Sequence, residues 1–320
     1  MVSRVRPFRV VSIGDLVVDV ILSVPQLPVK AAEHQILNGL QLEPGGAGNF
    51  LIAGARLGME MTALGAVGED IFSAALLEML AGEGVGVDGM LAQPEGSATT
   101  VFVLEEPSHS HVFLGQYGQG DDVLLSEDWK RRIEDADAVQ VWGYSLNEAR
   151  LVVCMLAAAE YAKDQGKMVV FDPGPLLASA QPEHCQRLIS CARVVLCTEE
   201  ELAVLGTHCQ VAAEPTELLK LGPAAVCVKQ GQDGCRVYTA NEMIEQSGFA
   251  VPVVDTNAAG DSFMAAFVYG YLSGWPLQKV AVFANAMGAA KVQKFGSGRQ
   301  VPTVGELRKV LRDFSVDVKF

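Results

Sequence analysis

The chain has 320 residues, half of them hydrophobic and 19% charged, with 24 Lys and Arg against 38 Asp and Glu for a formal net charge of −14. This composition excludes a disordered chain, and its acidity excludes the basic footprint of a phosphate-backbone binder, so no nucleic-acid partner is expected. The apolar runs fall well short of the ~20 residues that span a bilayer, so no membrane partner is expected either.

Residues 10–13 (VVSI) read as a first strand, with no secretory-type apolar core before them. Two β segments follow at 16–24 and 34–42 without a helix between them. A helix at 49–57, a strand at 61–66 and a helix at 71–81 come next, the last stopped by Gly84. A second pair of β segments, 99–104 and 111–115, is joined through the turn signal Glu105-Glu106-Pro107-Ser108. Strands at 138–142, 168–171, 194–197 and 225–229 then alternate with helices at 148–163, 182–190, 199–205 and 216–221. Two helices rich in small residues, 260–273 and 277–294, close the series. Short Val- and Ala-rich strands between helices predict an α/β fold, a doubly wound, mostly parallel sheet covered on both faces. The four β segments outside the alternation predict a small antiparallel sheet projecting from it. Seven cysteines without a C-x-x-C pair suit reduced, buried thiols, so a cytoplasmic protein is expected.

Three motifs bear on chemistry. Gly84-x-Gly86-x-x-Gly89 follows a helix rather than a strand, which leaves dinucleotide binding as a remote alternative, and no Gly-x4-Gly-Lys-Ser/Thr loop is present. Gly45-Gly46-Ala47-Gly48-Asn49 opens an apolar helix. Its glycines let a ligand approach the backbone, and Asn49 offers both a donor and an acceptor to a neutral, hydroxyl-rich molecule. The third motif, Asp255-Thr256-Asn257-Ala258-Ala259-Gly260-Asp261, sets small residues at a helix start. The amides of Ala258, Ala259 and Gly260 are placed to converge on an anion. Asp261 beside them would repel a phosphate, unless its task is to take the proton of an attacking hydroxyl.

Together the last two motifs resemble the ribokinase-like (PfkB) carbohydrate kinase family. The resemblance extends to Gly14-Asp15 with Asp19, to Lys229-Gln230-Gly231-Gln232-Asp233-Gly234, and to Asn285 and Gly296-Ser297-Gly298. It implies one ribokinase-like domain over residues 1–320, with a discontinuous β lid from about 16–44 and 97–118. It also implies transfer of the γ-phosphoryl group of ATP to a sugar hydroxyl, with Mg2+ and, in many members, K+. Asp261 would be the base and Ala258, Ala259 and Gly260 the anion hole. Asp15, Asp19, Gly45, Gly46 and Asn49 would hold the sugar, and Lys229, Gly231, Gly234 and Asn285 the ATP. Glu201 would reach magnesium through water, while Asp255, Gly296 and Ser297 would match a monovalent-cation site. Where the family often has Asn-x-x-Glu, this chain has Thr198-Glu199-Glu200-Glu201. The sugar-side segments 14–49 and 97–118 contain a single Lys or Arg, Lys30, which favours a neutral sugar over a sugar phosphate. The alternatives are a nucleoside, stacked on Phe50, Phe113 or Tyr117, and a non-catalytic sugar- or nucleotide-binding regulator. Exposed lid strands would pair two copies into a homodimer.

Overall fold

The computed structural model describes residues 6–107, 110–318 and 320, so Ser108 of the expected turn lies outside the described residues. In chain order the first elements are β1 (Arg9–Ile13), β2 (Leu16–Ser23), β3 (Gly39–Gly46), α1 (Ala47–Arg56), β4 (Glu60–Leu64), β5 (Ala66–Gly68) and α2 (Ile71–Gly82). Next come β6 (Leu91–Gln93), β7 (Thr99–Glu105), β8 (His111–Gln116), α3 (Glu127–Asp135), β9 (Ala138–Trp142), α4 (Ala149–Asp164) and β10 (Met168–Asp172). The chain continues through α5 (Pro182–Cys191), β11 (Val194–Thr198), α6 (Glu199–Cys209), α7 (Pro215–Leu219) and β12 (Ala225–Lys229). It ends with β13 (Cys235–Tyr238), β14 (Met243–Gln246), α8 (Ala259–Leu272), α9 (Leu277–Val292) and α10 (Val304–Asp313).

Eight strands form the main sheet in the order β14-β13-β12-β11-β10-β9-β1-β4. From β4 to β12 all pairs are parallel, and β13 and β14 add an antiparallel hairpin at one edge. One core packs α1, α8, α9 and α10 on one face, through Phe50, Phe267 and Phe283. The other face is covered by α3 to α6, through Trp129, Met155 and Leu188. Burial on both faces is why these strands read as continuous apolar runs.

The remaining segments build a four-stranded sheet, β3-β2-β7-β8. It corrects the expected antiparallel arrangement, because its central pair, β2 and β7, is parallel. The chain leaves β2 and β3, passes through α1, β4 and α2, and re-enters in the same direction. Only the outer pairs are antiparallel. The expected strand at 34–42 is also displaced: β3 begins at Gly39 and continues through Pro44 to Gly46, so the glycine-rich motif is itself strand. The expected strand at 61–66 breaks at Gly65, and Ala66–Gly68 pairs with Leu91–Gln93 instead.

Candidate active site

In a doubly wound sheet, ligands bind beyond the carboxyl ends of the strands. Here five adjacent parallel strands end in polar or aromatic residues: β1 runs into Asp15, β9 ends at Trp142, β10 at Asp172, β11 at Thr198 and β12 at Lys229. They line a cleft of about 720 Å3. Its roof is one face of the small sheet, with Val17, Asp19, Thr99, Val101 and Phe113, and its far wall is the start of α8.

Ala258 adopts a left-handed conformation (φ 59°) just before α8 and makes no side-chain cap. Ala259 N donates to Thr256 O at 3.2 Å, whereas among the described residues the amides of Ala258 and Gly260 have no acceptor. Those two N–H groups are the open part of the expected anion hole. Lys229 Nζ hangs over it: a Cβ built on Gly260 would lie 3.6 Å from that nitrogen. Lys229 is held by Asp172 Oδ2 at 2.7 Å, and Asp172 Oδ1 accepts from Gly174 N at 3.2 Å. Asp261, one residue into the cleft, accepts from Asn49 Nδ2 at 2.8 Å. Burial, reinforced by the charge of Asp172, pushes its carboxyl up to about 7, against the opposing pull of Asn49 and Lys229.

The other end of the cleft is carboxylate-rich. Burial raises Asp15 to about 7, with a Thr99 hydrogen bond opposing, and Asp15 Oδ1 is buried with no hydrogen-bond partner. Asp19 is raised to about 6, again by burial, against the hydrogen bond that Ser297 Oγ donates to its Oδ2 at 2.8 Å. Gly45 passes so close that a Cβ there would lie 2.3 Å from Asp19 Oδ1, and Gly46 turns the chain into α1 with φ 52°. Asn49 has both ends engaged, since its Oδ1 accepts from Gly298 N at 2.6 Å.

Glu201 lines the cleft and is raised to about 7 by burial and by Asp172. The Thr that stands in place of the family's Asn has a local purpose: Thr198 caps α6 in a reciprocal box with Glu201. Asp172 stands close enough to Glu201 and Asp261 to act on both, so negative charge gathers beside Lys229, an arrangement that suits a divalent cation. Among the described residues no three His, Cys, Asp or Glu side chains converge as a ligand set.

The expected residues Gly231, Gly234, Asn285, Asp255, Gly296 and Ser297 stand outside the lining of this cleft, with Ser297 Oγ given to Asp19. Gly231 and Gly234 lie in the turn after β12, where Gly234 packs against the Gln246 carbonyl. Asn285 is buried in α9 and donates to Ala281 O and Cys235 Sγ. Asp255 accepts from Asn257 N at 2.9 Å and from Gly296 N at 2.8 Å, so both of its oxygens hold backbone. Conversely, Trp142, Tyr144, Asp172 and Arg150 belong to none of the sequence motifs above, yet each bears on the cleft. Trp142 and Tyr144 meet at a tilt along the cleft wall, their ring centroids 5.7 Å apart and their planes 37° from parallel. Arg150, buried with Glu148 at 3.0 Å, donates to the carbonyls of Ser97 and Gln119 and so ties both ends of the β7–β8 hairpin to α4. A polar or aromatic residue ending a buried strand was the available signal for Trp142 and Asp172.

The sequence profile of the pfkB family carbohydrate kinases matches residues 8–304. The chain belongs to that family. A nucleoside kinase from Methanothermobacter thermautotrophicus is 25% identical over 299 residues, 93% of this chain and 94% of that one. The ribokinase of Bacillus subtilis is 29% identical over 304 residues, 93% and 98% of the two chains. The structure of Arabidopsis thaliana ribokinase complexed with ribose and ATP superposes with a TM-score of 0.81, at 24% identity, covering 96% of this chain and 99% of that one. This pfkB-family kinase thus shares the fold of sugar kinases, and its relatives act on sugars and on nucleosides.

Proposed function

We propose that this kinase transfers the γ-phosphoryl group of ATP to a hydroxyl of a neutral sugar. The observation that carries the reading is Asp261 standing between two chemically different ends of one cleft, with open amides and Lys229 on one side and Asp15 and Asp19 on the other. Lys229 is the single cation among the described lining residues, and it is paired. A phosphorylated acceptor would therefore meet carboxylates where it needs Arg or Lys.

In this mechanism Asp15 and Asp19 hold acceptor hydroxyls, with the Gly45-Gly46 backbone close by, and bring one of them to Asp261. A carboxyl raised to about 7 is a far better proton acceptor at neutral pH than an ordinary Asp. Asn49 keeps it aimed by hydrogen bonding. The open amides of Ala258 and Gly260, with Lys229, stabilise charge on the moving group, while the Ala259 amide is held by Thr256 O; such contributions dominate in a loose transition state. Magnesium, held through water by Glu201 and Asp172, would neutralise phosphate charge. Gly231, Gly234 and Asn285 would lie on the nucleotide side, outside the lining of the cleft itself.

The small sheet acts as a lid that excludes water during transfer. Its outer face exposes Leu40, Phe102, Val112 and Leu114 in adjacent rungs, an apolar surface for pairing with a second copy. A second acceptor class, nucleosides, is favoured by one observation: the wall of Phe113, Tyr117, Trp142 and Tyr144 provides faces for a base.

ADP release from ATP and magnesium, measured against a panel of sugars and nucleosides, tests the proposal. A sugar-dependent signal absent from Asp261→Asn is expected. A signal with nucleosides alone reassigns the acceptor, and ATP binding with silence across the panel turns the reading toward a non-catalytic binder.

A further inference from the structure

Lys291 has no part in the chemistry above, yet its side chain is among the largest that are fully buried, with 0% exposure. It lies in the last turn of α9, where the negative end of the helix favours a cation. Its Nζ donates to Lys294 O at 2.9 Å, and among the described residues no carboxylate lies within ion-pair distance of it. An ammonium closed off from water with one hydrogen bond is costly, and a buried Lys to Met exchange would ordinarily be favourable. The location supplies a reason for keeping it. Val292 O, beside Lys291, accepts from Val254 N at 2.7 Å and Asp255 N at 3.2 Å, while Asp255 Oδ2 accepts from Gly296 N. Two turns, 254–260 and 292–298, are stitched together there, and the first of them carries the open amides of Ala258 and Gly260. The charged groups that face Lys291 across the stitch are Asp255 and Asp261, with Lys294 opposing.

The donors expected to ring a monovalent cation do not fit that task here. Both Asp255 oxygens hold backbone amides, one of them that of Gly296, and Ser297 Oγ is given to Asp19; the nearby Lys294 carbonyl, which was not among the expected ligands, is taken by an ammonium. We propose that Lys291 is the resident cation of this kinase: its ammonium draws the two turns together beneath the anion hole, and turnover is independent of added K+. The role in turnover rests on the anion-hole reading, whereas the role in holding the turns does not.

Thermal melting of the ligand-free protein therefore provides the test, because it needs no acceptor. Wild type is compared in LiCl, NaCl, KCl and NH4Cl at equal ionic strength, beside Lys291→Met and Lys291→Gln, the latter keeping a donor for Lys294 O without the charge. Wild type is expected to melt at one temperature in all four salts. Both variants are expected to melt lower in LiCl and to recover selectively in KCl or NH4Cl, by the stabilisation that binding to the native state alone confers. Once an acceptor is known, turnover of the variants should fall roughly tenfold without K+, less than the 10²–10³ of a deleted oxyanion donor. Potassium-selective stabilisation of wild type overturns the proposal, as does a variant with no cation selectivity. If neither variant folds, the salt series on wild type decides alone.

Discussion

The two ends of the cleft are built by different means. At the proposed phosphoryl end Asp172, Thr198 and Lys229 end three adjacent parallel strands, and the amides of Ala258 and Gly260 come from one helix start. Hydrogen-bonded backbone places these groups, and the Lys229–Asp172 pair only trims the arrangement. At the acceptor end, side chains hold side chains and loops across long stretches of sequence: Asp19 takes Ser297, 278 residues away, and Asn49 takes Gly298, 249 residues away. Glu43 likewise holds Arg299 by two hydrogen bonds to its guanidinium and one to its amide. A frame set by strand ends keeps one transfer chemistry, while an end assembled from side chains can be rebuilt for different acceptors. That division matches a fold whose relatives include both ribokinase and nucleoside kinase.

The comparison can be broken at its junction. Asp261→Asn removes the proposed proton acceptor and leaves the proposed phosphoryl end intact. Turnover is expected to fall roughly 10²–10⁴-fold, with ATP binding by calorimetry unchanged, and a parallel loss of ATP affinity would show that the two ends are not separable there. Lys229→Met strikes the proposed phosphoryl end and removes the ion-pair partner of Asp172. Steady-state kinetics should show turnover reduced about 10²–10³-fold and a raised KM for ATP, with little change in acceptor KM.

Asp15→Asn should do the opposite. Loss of a charged hydrogen bond, about 1.5–3 kcal/mol, lowers kcat/KM for the acceptor by roughly 10–100-fold and spares ATP. The smallest effect expected is on stability against pH. Asp15, Asp261 and Glu201 are raised to about 7 and Asp19 to about 6, in each case chiefly by burial. A carboxyl whose folded value lies above its unfolded value stabilises the fold fully below the unfolded value, and that contribution is lost as pH rises through the folded one. The ligand-free protein should therefore melt at a lower temperature at about pH 8 than at about pH 6, and Asp15→Asn should flatten the difference. A melting temperature that rises over this interval would contradict the burial of these groups.

Much of the frame was legible before any coordinates. Strands buried on both faces leave apolar runs that need no partner to be recognised, and Gly84, which stops α2 at φ 80°, read as a helix end rather than a dinucleotide motif. Two helices escaped because their sequences are dominated by charge. In α3 only Trp129 and Ile133 are buried, and in α10 only Leu307, Val310 and Leu311, so each presents a thin apolar stripe on a solvated helix. The β13–β14 hairpin escaped for a similar reason: Met243–Gln246 has no buried residue. In the site, the motif residues Asp15, Asn49, Lys229 and Asp261 could be named from local pattern alone. The engagement of both ends of Asn49 could not, nor could the pairing of Asp172 with Lys229.

By itself the sequence determined the alternation of strands and helices, the glycine-rich approach to α1, and the small-residue turn with an acid at its end. Each of these is written within a few residues and enforced by local sterics or by burial of an apolar face. Tertiary structure alone decided that β2 and β7 run parallel, that both oxygens of Asp255 serve backbone amides, and that Lys291 lies fully buried in the last turn of α9. Those outcomes depend on contacts between segments far apart in the chain, and such contacts form only when the packed core brings their partners together.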